Sequence, residues 1–506
     1  MEQVRATKSY DSEFCGNLPI HLINVVMPYG ALIVFDKHTL KVLQASANIE
    51  RATETEVHDL IGLPLLEFLS KESIELIEKK IDGNVSDRTP FRISVDVTDY
   101  LAILHIKDTY CLLEVNYDSE EEARSNTYVD VYQELKSAIS SIESCNGTIE
   151  AAKITARVLK TASGFDKVMI YQFDSEWNGH VLAEEGEPDM ESYLGFTFPA
   201  SDIPKQARDL YLKNSYRFIP DRNYTPIKIY PVLNPDSQSF IDLSDCNVRG
   251  VSAVHIEYLK NMNVVASMST RIIKDNKLWG LIACHHKTAK NMSYKMCSVF
   301  ELMSNIISAK ISSLSNTESL TLNGKLKEDY SRLIRDIYKS QELPNALLES
   351  DSNVLKLFNA EGAVCVYNSK IHRKGEVPQP HELDELLLWI SAKEMSKVYV
   401  TNNLGGHIDA ANSYKELASG LLVIPLDKDS KNFLLLFRPE VIQITDWGGD
   451  PSTRMSFEED MKTYHPRFSF KLWREHVTGV SLPWKNEEIE TARNMEQFLK
   501  EYAQKN

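Results

Sequence analysis

Between two strand-like runs, Lys167–Phe173 and Gly179–Glu184, and two later ones, Val264–Lys274 and Leu278–Cys284, the chain carries a long, proline-rich stretch of irregular pattern, roughly Pro199 to Arg249. Long ordered loops inside a compact domain are mostly functional, so a mixed helix–strand domain that keeps this one is built around it. The stretch opens with Pro199-Ala200-Ser201-Asp202-Ile203-Pro204. Here one carboxylate, Asp202, lies between a proline turn and a helix start for which Pro204 suits the first position. Held that rigidly, it can face a ligand with several N–H donors. Asp and Ser also cap helices, so the string by itself reads equally well as a cap.

The pattern on either side gives two further domains. After a polar leader, Ala31–Phe35 and Lys41–Ala45 read as strands, Leu60–Ile81 as helical, and Phe91–Val97, Leu101–Ile106 and Tyr110–Val115 as three more strands. The charged stretch Asp118–Asn126 closes this domain at 1–126. Helical segments Val129–Ser144 and Thr148–Thr161 open the second, 127–310, which holds the insert. From Met296 the pattern is helical for some forty residues, with Met303, Ile307, Ile311 and Leu314 in a stripe. That stripe suits either a partner helix or packing on its own domains. The strand-like runs Ala363–Tyr367, Val398–Thr401, Leu421–Leu426 and Asn432–Phe437 define a third domain, 311–506. It ends in a helix, Asn486–Asn506, with Ile489, Ala492, Met495, Leu499 and Tyr502 on one side. The fold class is therefore α+β: three consecutive mixed domains with antiparallel sheets, joined by a long helix.

Among 506 residues, 43% are hydrophobic and 25% charged. No apolar run approaches the ~18 residues of a membrane span, and the leader lacks a secretory signal. A net charge of −16 argues against non-specific nucleic-acid binding. The seven cysteines, Cys15, Cys111, Cys145, Cys246, Cys284, Cys297 and Cys365, form no Cys-x-x-Cys pair and no disulfide ladder, which fits a reducing cytoplasm. Cys15 alone lies outside any periodic element.

Three further strings accompany the insert: Ser252-Ala253-Val254-His255-Ile256-Glu257-Tyr258-Leu259, Trp279-Gly280-Leu281-Ile282-Ala283-Cys284-His285-His286, and the leader's Cys15 … Pro19-Ile20-His21 … Met27-Pro28-Tyr29-Gly30. In the third domain stand Trp447-Gly448-Gly449-Asp450-Pro451, Pro466-Arg467-Phe468-Ser469-Phe470 and Trp473-Arg474-Glu475. Together they resemble the PAS, GAF and PHY domains of a bacterial phytochrome photosensory core, over nearly the whole chain.

The resemblance implies a linear tetrapyrrole, biliverdin IXα, joined by a thioether to Cys15, because a thiolate is the nucleophile such an addition needs. The alternative attachment position, just before the pocket histidine, is Val254. It implies that Asp202 and His255 coordinate the pyrrole nitrogens, that Arg217 and Arg249 hold one propionate, and that Ser267, Ser269 and His285 hold the other. Tyr171, Phe198 and Tyr258 would surround the isomerising ring, and Ile203 and Tyr211 complete the cofactor-binding set. No metal site or catalytic residue is implied. The third-domain strings resemble the PHY tongue (about 440–484), with Trp447, Gly448, Arg467 and Ser469 as switch residues. Arg467 would bridge to Asp202 in one light state, and the tongue would refold between strand and helix. The chain departs from the pattern at Met27 and Tyr29, which bears on how the leader threads the GAF loop, and at Ala253, where the family has proline.

The function expected on this basis is a red/far-red photoreceptor that is not itself an enzyme. It would be a homodimer through the long helices and signal to a downstream kinase or cyclase domain, with no nucleic-acid or membrane partner. A light-regulated histidine kinase or diguanylate cyclase whose output domain is absent from this chain is the alternative. A GAF domain binding a cyclic nucleotide would leave Cys15, Asp202 and the tongue strings without a common purpose.

Overall fold

The computed structural model describes residues 19–83, 89–96, 98–117, 128–340, 342–393, 395–427, 432–451, 455–457, 464–466 and 468–505. It divides into two compact units, Met1–Ser312 with Asp446–Trp473, and Ser313–Thr445 with Arg474–Asn506.

In the first unit, strands Gly30–Asp36, Val42–Ser46, Phe91–Val95, Thr98–Ile106 and Tyr110–Asn116 form an antiparallel sheet. Alternation along Gly30–Asp36 sends Ala31, Ile33 and Phe35 into a core with the helix Lys71–Asp82, and Leu32 and Val34 to the opposite face. The expected helical run Leu60–Ile81 is in fact broken. One short helix, Val57–Leu60, ends at Ile61, which is extended; Pro64 then N-caps a 3₁₀ turn at Leu65–Glu67 that precedes Lys71–Asp82, which Ser70 caps by accepting from Ser73 N.

This sheet has seven strands, because two come from elsewhere in the sequence. Ile227–Tyr230, from the proline-rich insert, pairs with Val42–Ser46, and the leader strand Val25–Val26 pairs outside it. On its other side the leader meets the far end of the insert: Met27 N donates to Val248 O at 2.7 Å and Gly250 N to Val25 O at 2.8 Å. The leader thus passes between two arms of the insert. A Cβ on Gly250 would stand 2.9 Å from that Val25 carbonyl, so a larger residue would push the arms apart. The departures at Met27 and Tyr29 are accommodated. Met27 is fully buried against Ile219, Val251 and Leu259, and Tyr29 Oη donates to Asn247 O at 2.8 Å.

Six strands of the second sheet run in the order Tyr216–Ile219, Ala266–Lys274, Lys277–His286, Lys167–Phe173, Gly179–Gly186 and Thr197–Phe198, each antiparallel to the next. One face is covered by helices Tyr128–Ser144, Thr148–Ser163 and the start of Tyr294–Lys339. The stripe Met303, Ile307 and Ile311 is buried in this core, so these positions pack on their own domain, and a partner would meet the helix on another face. The insert, irregular in sequence, contains a helix (Lys205–Lys213) and two strands.

The second unit is a five-stranded antiparallel sheet, ordered Lys370–Gly375, Gly362–Tyr367, Phe433–Arg438, Gly420–Pro425 and Tyr399–Thr401. The terminal helix Asn486–Lys505 buries Ala492, Met495 and Leu499 on one face, as its pattern indicates. Arg438 anchors it, pairing with Glu488 at 2.7 Å and donating to Phe358 O at 2.7 Å. No helix among the described residues is long and apolar enough to cross a membrane.

Candidate binding cavity

On the face of the second sheet opposite the helices lies a cavity of about 230 Å³. The register sets its polar floor. Arg217 stands opposite Ser269, which stands opposite Ala283; one row on, Ile219 stands opposite Ser267 and Ser267 opposite His285. Strand alternation therefore turns these side chains to the cavity while Met268, Thr270 and Ile272 face the other way. Tyr211, from the helix Lys205–Lys213, shares a 2.6 Å hydrogen bond with Ser269 Oγ.

The Pro199–Pro204 string forms a 3₁₀ turn at Ala200–Asp202 and then the helix Lys205–Lys213, with Pro204 at its N-cap. Asp202 does not cap this helix. Its Oδ2 accepts instead from Tyr258 Oη at 3.0 Å, across the cavity mouth. Arg208, which sequence reasoning missed, holds the turn: its buried guanidinium donates to Ile203 O at 2.6 Å and Ala200 O at 3.4 Å, and lies 4.6 Å over the Trp177 ring. The signal available was its spacing of three from Tyr211 on one helical face.

His255 and Tyr258 lie on the helix Ala253–Asn261 with their rings parallel, 6.1 Å apart. Losing the family proline leaves the helix start intact, with Ser252 at the N-cap. The accessible surface of His255 lines the cavity, and burial, then repulsion from Arg217 and Arg249, lowers its pKa to about 4. His285 is lowered to about 3 by burial, then by Lys167 and His255. Both imidazoles are neutral near pH 7.

The cationic groups are the unusual feature. Arg217 donates to the carbonyls of Gly250 at 2.8 Å and Asn247 at 3.2 Å, and Arg249 to Ile20 O at 3.1 Å. Among the described residues neither guanidinium makes an ion pair. Burial, then the neighbouring Arg217, lowers Arg249 to about 9. Among the described residues, four buried polar atoms of this cavity's lining have no hydrogen-bond partner: Arg249 Nε, His285 Nδ1, Ser201 Oγ and Gln206 Oε1. Such groups are costly unless a ligand meets them.

An aromatic wall completes the site. Tyr171 and Phe198 lie 5.9 Å apart, and Tyr193, not anticipated from sequence, meets Phe198 edge-on at 5.5 Å. The segment Asp446–Trp473 reaches this wall. Buried Phe470 packs edge-on against Tyr258 at 5.2 Å, Pro466 lines the cavity, and Trp447 pairs in parallel register with Thr197. Gly448 passes so close to Phe198 that a Cβ would come within 2.7 Å of its ring. Ser469 is exposed. Cys15 and Arg467 lie outside the described residues.

A PAS-fold model matches residues 15–116, a GAF-domain model 148–311 and the phytochrome-region model 326–506. The chain is 31% identical over 511 residues to a bacteriophytochrome of Xanthomonas campestris pv. campestris, covering 97% of this chain and 78% of that one. It is 33% identical over 488 residues to cyanobacterial phytochrome B of Nostoc sp., covering 95% and 65%. A solved bacteriophytochrome from the photosynthetic bacterium R. palustris superposes with a TM-score of 0.84 at 31% identity, over 96% of this chain and 98% of that one. The wild-type photosensory core module of the Stigmatella aurantiaca phytochrome gives 0.83 at 29%, over 100% of both.

The chain belongs to the phytochrome family. It carries the PAS, GAF and PHY domains of a phytochrome photosensory core, and it spans about two thirds of the length of the cyanobacterial phytochromes it matches.

Proposed function

We propose that the protein is a red/far-red photoreceptor whose cavity holds a linear tetrapyrrole, specifically biliverdin bound through a thioether to Cys15. The observation that carries this reading is the pair of guanidiniums on the cavity floor, buried Arg249 and partly buried Arg217, neither with an ion-pair partner among the described residues. With the orphaned His285 Nδ1, they fit a ligand bearing carboxylates at one side and ring N–H donors at the other. A bound bilin supplies the photochemistry, rotation of one pyrrole ring about a double bond on absorbing light.

The remaining work belongs to the chain. Arg217 and Arg249 hold one propionate as charge-assisted donors, and Ser267 with His285 receive the second. Ser269, already bonded to Tyr211, orients that edge of the site. The Asp202 carboxylate and neutral His255 set the protonation of the pyrrole nitrogens, an adjacent anion favouring the cationic form. Tyr171, Phe198 and Tyr258 give the rotating ring an apolar, aromatic enclosure. Arg467 pairs with Asp202 in one light state, and its release lets the tongue exchange strand for helix. The Phe470–Tyr258 contact supports this, since it brings the tongue to the residue that holds Asp202, and Pro466 of the tongue lines the same cavity.

The domain limits follow as 1–126, 127–310 and 311–506. The protein acts as a homodimer through its long helices in a reducing cytoplasm, and passes its signal to an output kinase or cyclase rather than performing catalysis itself. Adding biliverdin to the bilin-free chain tests the reading. A covalent, red-absorbing adduct supports it, whereas no adduct together with saturable binding of a cyclic nucleotide overturns it.

A further inference from the structure

Away from the bilin cavity, the described residues bring together three side chains of metal-ligating type: His105, Glu114 and Cys246. Their ligand atoms all lie within 4.8 Å of one another, and all three residues are at least nine-tenths buried. In the PAS sheet, His105 stands opposite Leu112 and Glu114 opposite Ile103, so the two side chains are diagonal neighbours on one face. The insert covers that face with Ile241, Leu243, Cys246 and Val248.

The surroundings hold the three in place. Glu114 Oε1 meets His105 Nε2 at 2.6 Å, while Oε2 accepts from Val248 N at 2.7 Å. Beside Cys246, Asp245 is ion-paired to Lys107, and its carbonyl accepts from Asn214 Nδ2 at 3.2 Å. The segment that carries Cys246 is therefore also held by contacts outside the cluster.

We propose that His105 Nε2, Glu114 Oε1 and Cys246 Sγ form a binding site for a divalent transition metal of the zinc class. The ligand set is one that zinc accepts, an imidazole nitrogen, a carboxylate oxygen and a thiolate sulfur, with a fourth position left for water. Charge also balances, because one carboxylate and one thiolate neutralise a dication at a buried site. Tetrahedral bonds of the usual length set two such ligands about 3.3 Å apart, so the His105–Glu114 contact opens by less than about 1 Å as the metal enters. Without metal, burial and the Glu114 carboxylate keep the thiol protonated. Binding breaks the S–H bond, forms S–metal and sends that proton to solvent, while the proton held between His105 Nε2 and Glu114 Oε1 moves to His105 Nδ1 so that both atoms are free to ligate; affinity therefore rises with pH. The occupied site would pin two PAS strands to the insert three residues before Arg249, and it does not depend on the identity of the bilin.

The test uses the full chain without bilin, since a tetrapyrrole binds zinc itself. Zinc alone is added, the protein is passed through gel filtration, and bound metal is measured. Cobalt(II) then serves as an optical probe of thiolate ligation. The inference predicts one retained zinc, a thiolate-to-cobalt charge-transfer band, and a melting temperature that rises with zinc. Cys246→Ser should lose all three, His105→Gln should weaken zinc about tenfold or more, and Cys15→Ser should keep all three. Absence of retained zinc in the parent, or an undiminished zinc and cobalt band in Cys246→Ser, overturns it.

Discussion

Replacing Arg208 by methionine isolates the device that aims Asp202. The substitution keeps an unbranched stem of similar reach and removes the guanidinium. Lost are the 2.6 Å bond to Ile203 O and the longer 3.4 Å bond to Ala200 O, together with the stacking over Trp177 at 4.6 Å. A hydrogen bond from a charged donor contributes about 1.5–3 kcal/mol, and a partly buried cation–π contact about 1 kcal/mol. Discounting the longer bond, the turn loses about 3 kcal/mol, which at 1.36 kcal/mol per decade is roughly two orders of magnitude in local opening. Amide hydrogen exchange across 200–207 should therefore accelerate by roughly a hundredfold, with Arg208→Lys intermediate. In the biliverdin complex the bilin should deprotonate at lower pH than in the parent, because Asp202 no longer stays at the pyrrole nitrogens. Exchange within about threefold of the parent, with an unchanged titration, would refute the assignment of Arg208 as the positioning residue.

Cys15→Ser should leave a bilin complex that dissociates in denaturant, seen as loss of the zinc-stained band in a denaturing gel. If the band persists, another cysteine carries the attachment. Buried His285 titrates well below the ordinary 6.5, at about 3, so below pH 6.5 the unfolded chain binds more protons than the folded one. Stability of the bilin-free chain should therefore be fully present above pH 6.5 and fall as pH is lowered toward 5, with a shallower fall in His285→Gln; urea midpoints across this range measure it. Arg467→Ala should retain the bilin yet speed or block thermal reversion of one light state, which reversion kinetics report. Unchanged kinetics would remove Arg467 from the switch.

How far the sequence discloses this molecule depends on range. The terminal helix was legible because Ala492, Met495 and Leu499 repeat at helical spacing and bury together. The polar floor of the cavity was legible only as separate motifs, since the register that aligns Arg217 with Ser269 and Ser267 with His285 is a property of paired strands. The long-helix stripe shows a different limit: the spacing of Met303, Ile307 and Ile311 serves a partner face and a helix on its own sheet alike, and only the fold shows these residues packed on their own sheet. The strand exchange was invisible, because Ile227–Tyr230 lies in a proline-rich stretch and pairs with residues about 180 positions earlier. Arg208 went unnoticed for a related reason. A buried arginine on a short helix differs from a solvated one only through carbonyls that the fold supplies.

The most direct measurement is the absorption spectrum of the biliverdin-assembled chain in darkness, after saturating red light and after far-red light. The account predicts two bands that exchange reversibly, with the parent spectrum restored by the second illumination. A chain that takes up biliverdin and gives the same spectrum after each illumination would contradict it.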